Sequence, residues 1–130
     1  MKDFFKYFFL LSDIHIGKIG KTEKIVSNLI SFFIDNRKVL SETYVIVITG
    51  DLFDRLLSTI VKDYMLGLKF IGFLVSFCKT YDIKLRILEG TPSHDHKQMA
   101  SITGMIKELE NIDFKYVDTL YIEYIDGMTW

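Results

Sequence analysis

Acidic and imidazole side chains follow three apolar runs of the chain, each close to the point where its run ends. They are Asp13 and His15 in "SDIHIG", Asp51 and Asp54 in "TGDLFDR", and His94, Asp95 and His96 in "EGTPSHDHKQ". All three histidines of the chain belong to this set. In a parallel α/β sheet, ligands bind beyond the carboxyl ends of the strands. If the runs are neighbouring parallel strands, we expect these side chains to converge at one edge of the sheet.

This mixture of carboxylates and imidazoles is typical of a metal site. Asp13 and His15 are two positions apart, so on extended backbone both side chains would point the same way and hold one ion. Gly50 allows a tight bend before Asp51, whose carboxylate could bridge two ions. Oxygen and nitrogen ligands suit Mn²⁺, Zn²⁺ or Fe, and ligand softness does not choose among them. Any one of these residues alone would more often be a cap or turn residue, so the shared placement carries the hypothesis.

Three neighbouring features have ordinary explanations. Asp54 stands three positions after Asp51, and a helix cap or an ion pair with Arg55 would account for it. We expect His96 to be a solvated neighbour of the site. The segment "GKIGKT" ends like a phosphate-binding loop, but that motif requires a glycine where His15 stands.

Strand and helix patterns alternate around these residues. Strands are predicted over residues 4–12, 43–51, 83–90, 114–117 and 120–125, and helices over residues 21–40, 57–80 and 97–110. The order β-α-β-α-β-α-β-β predicts an α/β fold with a mainly parallel sheet flanked by helices. The first run is mostly aromatic and aliphatic, as expected for a strand that is covered on both faces.

Composition limits the class of protein. The 130 residues suffice for one domain, residues 1–130, and 49% hydrophobic against 25% charged residues indicates a globular chain. A net charge of −1 gives no overall electrostatic footprint for nucleic acid. The single cysteine, Cys78, excludes a disulfide within the chain and suits a buried position in a reducing compartment. Lysines interrupt both apolar stretches that could resemble membrane segments, so we expect a cytoplasmic protein without a membrane span.

The last residues predict a hairpin that is cut short. Asp126-Gly127 between apolar residues is a strong hairpin signal, yet three residues follow it, whereas strands usually run about 5–6 residues. We therefore expect a truncated domain whose unpaired C-terminal strand favours self-association.

"DIH", "GDLFDR" and "GTPSHD", in this order and after successive strands, resemble the first three motifs of the calcineurin-like metallophosphoesterases. Those motifs are usually written D-x-H, G-D-x-x-D/N and G-N-H-D/E. "GDLFDR" is most similar to the branch that contains DNA double-strand-break repair nucleases. The resemblance covers most of the chain and implies the N-terminal half of a metallophosphoesterase-type α/β sandwich. It also implies a phosphodiesterase or nuclease that acts on a phosphoester substrate such as DNA.

The resemblance implies a role for each matching residue. Asp13 and His15 would bind the first of two divalent ions, with Mn²⁺ favoured, and Asp51 would bridge both. His94 would assist the leaving oxygen, and Asp95 would orient His94. Ions about 3.5–4 Å apart would activate a bridging water for in-line attack.

The chain departs from the family pattern in two ways. Ser93 stands where the family has the asparagine that binds the second metal and the phosphate, and serine is a shorter and poorer ligand. The family completes its site with later histidines, whereas no histidine follows His96. We therefore expect this chain to bind metal weakly and to be nearly inactive as a phosphodiesterase.

Two functions of other classes stay open. The chain could be a non-catalytic remnant of the fold that binds an ion, phosphate or a partner protein. It could also be a receiver-like domain in which Asp51 accepts phosphate, although that function gives no reason for the histidines. Labelling of Asp51 by acetyl phosphate would identify the receiver-like domain.

Overall fold

A computed structural model describes residues 7–125 and 128–129. The elements in chain order are β1 (Tyr7–Leu11), α1 (Thr22–Asp35), α2 (Arg37–Leu40), β2 (Thr43–Ile48), α3 (Lys62–Tyr81), β3 (Lys84–Leu88), α4 (Pro92–Asp95), α5 (Gln98–Thr103), a 3-10 helix (Lys107–Asn111), β4 (Phe114–Val117), β5 (Tyr124–Ile125) and β6 (Met128–Thr129). None of the helices in these described ranges combines the length and the apolar character that a membrane crossing requires.

Four strands form one sheet in the order β1-β2-β3-β4, and each neighbouring pair is parallel. Each connection therefore moves one strand further in the same direction. Right-handed crossovers of this kind place their helices on the same face of the sheet. The predicted α/β fold with a parallel sheet and flanking helices is confirmed.

The hydrophobic core lies between this helical layer and the sheet. Phe33 of α1 contacts Phe9 of β1 and Phe77 of α3, with ring centroids 5.5 and 5.3 Å apart. Ile46 and Ile48 of β2 are completely buried in the same cluster. Burying side chains of this size stabilises the fold by roughly 1.5–3 kcal/mol each, which holds the strand ends in place.

The opposite face of the sheet is less well covered. Phe8 and Leu10 of β1 are 43% and 61% exposed, so the expectation that the first strand is covered on both faces is wrong. β1 is an edge strand, and these alternate side chains point away from the helices. A cavity of about 380 Å³ lies on this face, between Leu10, Val47 and Leu88 and the segment that follows β4.

A buried guanidinium ties that segment to the sheet. Arg86 is 5% exposed, and its Nε and Nη2 donate to Glu123 at 2.8 and 2.7 Å. Its Nη1 and Nη2 donate to the backbone oxygen and side chain of Asp113, at 2.8 and 2.9 Å. Lys115 also donates to Glu123, at 2.7 Å. The charges on this face are therefore compensated within the chain.

The helix bounds differ from the sequence prediction in three places. The first predicted helix breaks at Asn36, whose side-chain amide donates to the carbonyl of Phe32 at 2.8 Å. The second begins only at Lys62, because the preceding residues form a loop at the sheet edge. The third splits into α5 and the 3-10 helix.

The C-terminal strands pair with each other. β5 and β6 form a separate two-stranded antiparallel sheet. The predicted strand over residues 120–125 is therefore confirmed only at its end. The predicted turn at Asp126-Gly127 lies outside the described residues, and self-association through this strand stays a prediction.

Glu123 should make the stability of the fold depend on pH. The hydrogen bond from Arg86 is the main cause that lowers the pKa of Glu123 from 4.5 to about 2. Because the folded pKa is the lower one, this carboxylate stabilises the fold fully above pH 4.5, and the contribution is lost as the pH falls towards 2. Glu123→Gln should lower the free energy of unfolding by about 2 kcal/mol at pH 7, as expected for hydrogen bonds to a charged group.

Urea unfolding of both proteins at pH 7 and pH 3 measures this difference. It should shrink at the lower pH, and Glu108→Gln on the exposed 3-10 helix is the control that should change little. A difference that stays the same at both pH values would contradict the assignment of the pH dependence to Glu123.

Candidate metal centre

The loops that follow β1 and β2 lie side by side beyond the sheet. The backbone nitrogen of Asp13 donates to the oxygen of Gly50 at 3.3 Å, and that of His15 donates to the oxygen of Asp51 at 3.1 Å. The pairing continues at Ile16, which forms a parallel bridge with the second loop. The first two groups of predicted ligands are therefore carried on paired backbone.

One carboxylate and two imidazoles meet where the three loops come together. His15, Asp51 and His94 each offer a ligand atom, and these atoms all lie within 4.8 Å of one another. The rings of His15 and His94 are nearly perpendicular, with centroids 5.0 Å apart. Three protein ligands with an open position for water are typical of catalytic metal sites. The group could therefore hold a metal ion.

The environment of Asp51 keeps its carboxylate ionised. The backbone N–H of Thr91 donates to Oδ1 at 2.7 Å, and the Thr91 hydroxyl lies 3.3 Å from Oδ2. His94 Nδ1 is 3.1 Å from Oδ2. The Thr91 backbone donor first, and then His94, lower the pKa of Asp51 below its ordinary value. Metal ligands must be deprotonated, so the carboxylate is ready to bind an ion.

Asp13 lies at the rim of the centre. Its Oδ1 is 3.8 Å from His15 Nε2, but its side chain is 67% exposed, and it is not a member of the three-residue group. Ser12 donates to its other oxygen at 2.5 Å. Asp13 is close enough to approach an ion that is bound at His15.

Three predicted ligands lie on left-handed backbone. The φ angles of Asp13, His15 and Asp51 are 55°, 58° and 51°. The extended backbone assumed for Asp13 and His15 is therefore wrong, although the two side chains still lie near each other. Residues other than glycine in this conformation cost of order 1–3 kcal/mol each, and such strain clusters at functional sites.

Asp95 joins the loops rather than contacting the His94 ring. It is 4% exposed, and its carboxylate accepts from the backbone nitrogens of Asp51, Phe53 and Gly90 at 3.0, 2.8 and 2.7 Å. Burial raises the pKa of Asp95, while the donors of Phe53 and Gly90 oppose that rise. The carboxylate beside the His94 ring is that of Asp51.

Two glycines let the second and third loops touch. A Cβ atom on Gly90 would lie 2.2 Å from the backbone nitrogen of Asp51 and 2.4 Å from its Oδ1. A Cβ atom on Gly50 would lie 2.9 Å from the Cα of Gly90, and the φ of Gly50 is 120°. The sequence pointed to the bend at Gly50, whereas the close approach at Gly90 gave no signal of its own.

Asp54 and Arg55 have separate partners in the structure. Asp54 Oδ1 lies 3.1 Å from His15 Nδ1. Arg55 Nε donates to the oxygen of Gly17 at 2.9 Å, and its Nη2 is 3.7 Å from Asp63. Asp54 is not at a helix start, so neither the predicted cap nor the predicted ion pair with Arg55 describes its place.

Ser93, His96 and Gln98 lie on the third loop and its helices. Ser93 is exposed on α4, and its role as a metal ligand stays a prediction. His96 is exposed, as expected for a solvated neighbour. Gln98 is buried, accepts from the nitrogen of Leu57 at 2.9 Å and donates to the oxygen of Arg55 at 2.8 Å. Sequence reasoning missed Gln98, because a glutamine beside a loop has no distinguishing pattern.

No protein-family model, curated protein or solved structure matches this chain.

Gly90→Ala should disrupt the centre by direct contact with Asp51. The added methyl group would overlap the backbone of Asp51, so the loops must separate. We expect the free energy of unfolding to fall by about 1–3 kcal/mol and the affinity for Mn²⁺ to fall with it. Thermal unfolding and calorimetry measure both quantities. Gly72→Ala is the matched control, because nothing lies within 4 Å of its added carbon and alanine favours the helix; equal effects of the two changes would refute the close-contact argument.

Asp13→Gly should separate metal binding from stability. Glycine removes the cost of the left-handed backbone, so we expect unfolding to require about 1 kcal/mol more while the affinity for Mn²⁺ falls. Asp82→Gly is the control, because Asp82 is also left-handed, with φ 55°, but ends helix α3 away from the centre. That variant should gain stability and keep its affinity. Unchanged metal binding in Asp13→Gly would remove Asp13 from the centre.

Proposed function

We propose that this chain is a metal-dependent phosphoesterase, of the phosphodiesterase or nuclease class, whose centre is built on His15, Asp51 and His94. The observation that carries the proposal is the meeting of these three side chains from three separate loops. The left-handed backbone at His15 and Asp51 supports it, because a fold keeps such strain where geometry matters. The ordered motifs similar to calcineurin-like metallophosphoesterases supply the reaction class.

The donor set fits a first-row divalent ion. One carboxylate and two imidazoles suit Mn²⁺, Zn²⁺ or Fe, and Mn²⁺ is the ion that the resemblance favours. Such an ion supplies a Lewis acid and a bound water of lowered pKa. Asp51 contributes the negative charge, and its hydrogen bonds from Thr91 fix the direction of the carboxylate. His15, at 24% side-chain exposure, is the less exposed of the two imidazoles.

His94 has two candidate roles that lead to different results. As a third ligand, it would hold the ion together with His15 and Asp51. As a general acid, it would keep Nδ1 towards Asp51 and donate a proton from its other nitrogen to the leaving oxygen. Its side chain is 36% exposed, which leaves room for a substrate to reach it. General acid catalysis contributes typically 10²–10⁴-fold.

We expect slow turnover in this chain. The described residues offer one three-ligand group, whereas the resemblance implies two ions. A second ion would have Asp51 and, at most, Ser93. Enzymes accelerate reactions by roughly 10⁶–10¹⁷-fold, far beyond what acid assistance alone provides. A metal-binding domain without turnover is therefore the second candidate, and the single group favours it.

Calorimetry with Mn²⁺ and hydrolysis of bis-p-nitrophenyl phosphate together test the proposal. The chain should bind one ion with modest affinity and show slow hydrolysis that depends on Mn²⁺. Asp51→Asn should weaken binding at least tenfold, because the carboxylate carries the charge of the group, and should abolish hydrolysis. Absence of Mn²⁺ binding by the unaltered chain would refute the metal centre.

His94→Ala separates the two roles of His94, with His96→Ala as the matched control on the same loop. Loss of hydrolysis with unchanged affinity identifies a general acid, whereas loss of affinity identifies a ligand. His96→Ala should change neither, because His96 is exposed beside the centre. Metal binding without any Mn²⁺-dependent hydrolysis would favour the non-catalytic domain over the phosphoesterase.

A further inference from the structure

The imidazole of His15 lies between two carboxylates. Its Nδ1 is 3.1 Å from Oδ1 of Asp54, and its Nε2 is 3.8 Å from Oδ1 of Asp13. The two nitrogens lie on different edges of the ring. Nε2 is the ring nitrogen on the side of Asp13, at the rim of the centre, and Asp54 lies at the other ring nitrogen.

His15 Nδ1 is a buried polar atom without a hydrogen-bond partner. The atom is buried and makes no aligned hydrogen bond, even though Asp54 is within hydrogen-bond distance. A buried polar atom without a partner costs about 1–3 kcal/mol. Hydrogen bonds in ligand-free sites are often poorly aligned and tighten when the complex forms. A small rotation of the ring would align Nδ1 with the carboxylate of Asp54.

The backbone holds Asp54 in this position. The backbone nitrogen of Asp54 donates to the backbone oxygen of Ile16 at 2.8 Å. Ile16 is the residue that follows His15 in the chain. The following residue, Arg55, is anchored on the oxygen of Gly17 at 2.9 Å. Asp54 therefore belongs to the same paired backbone that carries His15, and its distance from the ring is set by that pairing.

We propose that Asp54 is the positioning residue of the metal centre. It accepts the proton of His15 Nδ1, which leaves Nε2 unprotonated and directs Nε2 towards the ion. That Nε2 then binds an ion rests on the proposed function. Histidine ligands almost always donate their other ring N–H to a carboxylate, a carbonyl or water, and loss of that partner typically costs 10–100-fold in metal affinity.

The first test is the tautomer of His15, read by ¹⁵N NMR of the metal-free chain at a pH at which the ring nitrogens give the spectrum of a neutral imidazole. The ring should carry its proton on Nδ1. In Asp54→Ala, which removes the acceptor, the proton should move in part to Nε2. In Asp54→Asn, which keeps an acceptor oxygen without the charge, the proton should stay on Nδ1. A merely structural role of Asp54 would leave the tautomer unchanged.

The second test is the affinity for Mn²⁺. We expect a loss of about 10–100-fold in Asp54→Ala and of less than about tenfold in Asp54→Asn. Asp63→Ala is the matched control, because it removes a nearby aspartate that pairs with Arg55 instead of His15. It should leave both the affinity and the tautomer as they are.

The outcomes separate this inference from the proposed function. If the unaltered chain binds no Mn²⁺, the metal centre fails, and the tautomer still shows whether Asp54 controls His15. If the chain binds Mn²⁺ but Asp54→Ala binds it equally well, the positioning role is overturned. A proton on Nε2 in the unaltered chain also overturns the positioning role. This measurement decides the proposal even if a variant does not fold.

Discussion

The buried carboxylate of Asp95 is the interaction on which the candidate centre depends. Its oxygens accept hydrogen bonds from backbone N–H groups of the loop after β2 and of the loop after β3. The contact between Gly50 and Gly90 lets these loops come near enough to share one carboxylate. Because Asp51 and His94 belong to different loops, their separation is set by this arrangement and not by any bond between neighbours in the chain. Loss of the carboxylate would leave buried donors without partners, which costs about 1–3 kcal/mol each.

The fold tolerates an unfavourable backbone at the centre because its core is firmly packed beneath it. The left-handed residue Asp51 stands just beyond β2, whose inward side chains are fully buried, and the left-handed Asp13 and His15 stand beyond β1, whose inward side chains are partly buried. Aspartate and histidine are several-fold enriched in this conformation among residues other than glycine. The residue types that suit metal ligation are therefore also those for which the left-handed backbone conformation costs the least free energy. Chemistry and backbone geometry select the same side chains.

The placement of the centre could be predicted because it follows from strand order. Polar residues after successive parallel strands must share an edge, so the meeting of His15, Asp51 and His94 required only the strand pattern. The partners of Asp95 and Asp54 could not be predicted in this way. Asp95 was expected to orient the neighbouring imidazole, but two of its three backbone donors belong to residues about forty positions earlier in the chain. Such contacts depend on loop conformation, which has no periodic signal in the sequence.

The saturation of Arg86 has a consequence for how a polyanion can reach the chain. A guanidinium on a sheet face is ordinarily an attractive anchor for a nucleic-acid backbone. Here its donors are occupied from within, and the ammonium of Lys115 shares the same carboxylate of Glu123. The sheet face therefore offers a phosphodiester chain little electrostatic gain. Lys18 and Lys21, by contrast, are exposed in the loop after β1, so an anion would meet exposed ammonium groups at this loop, whereas the sheet face offers it compensated ones.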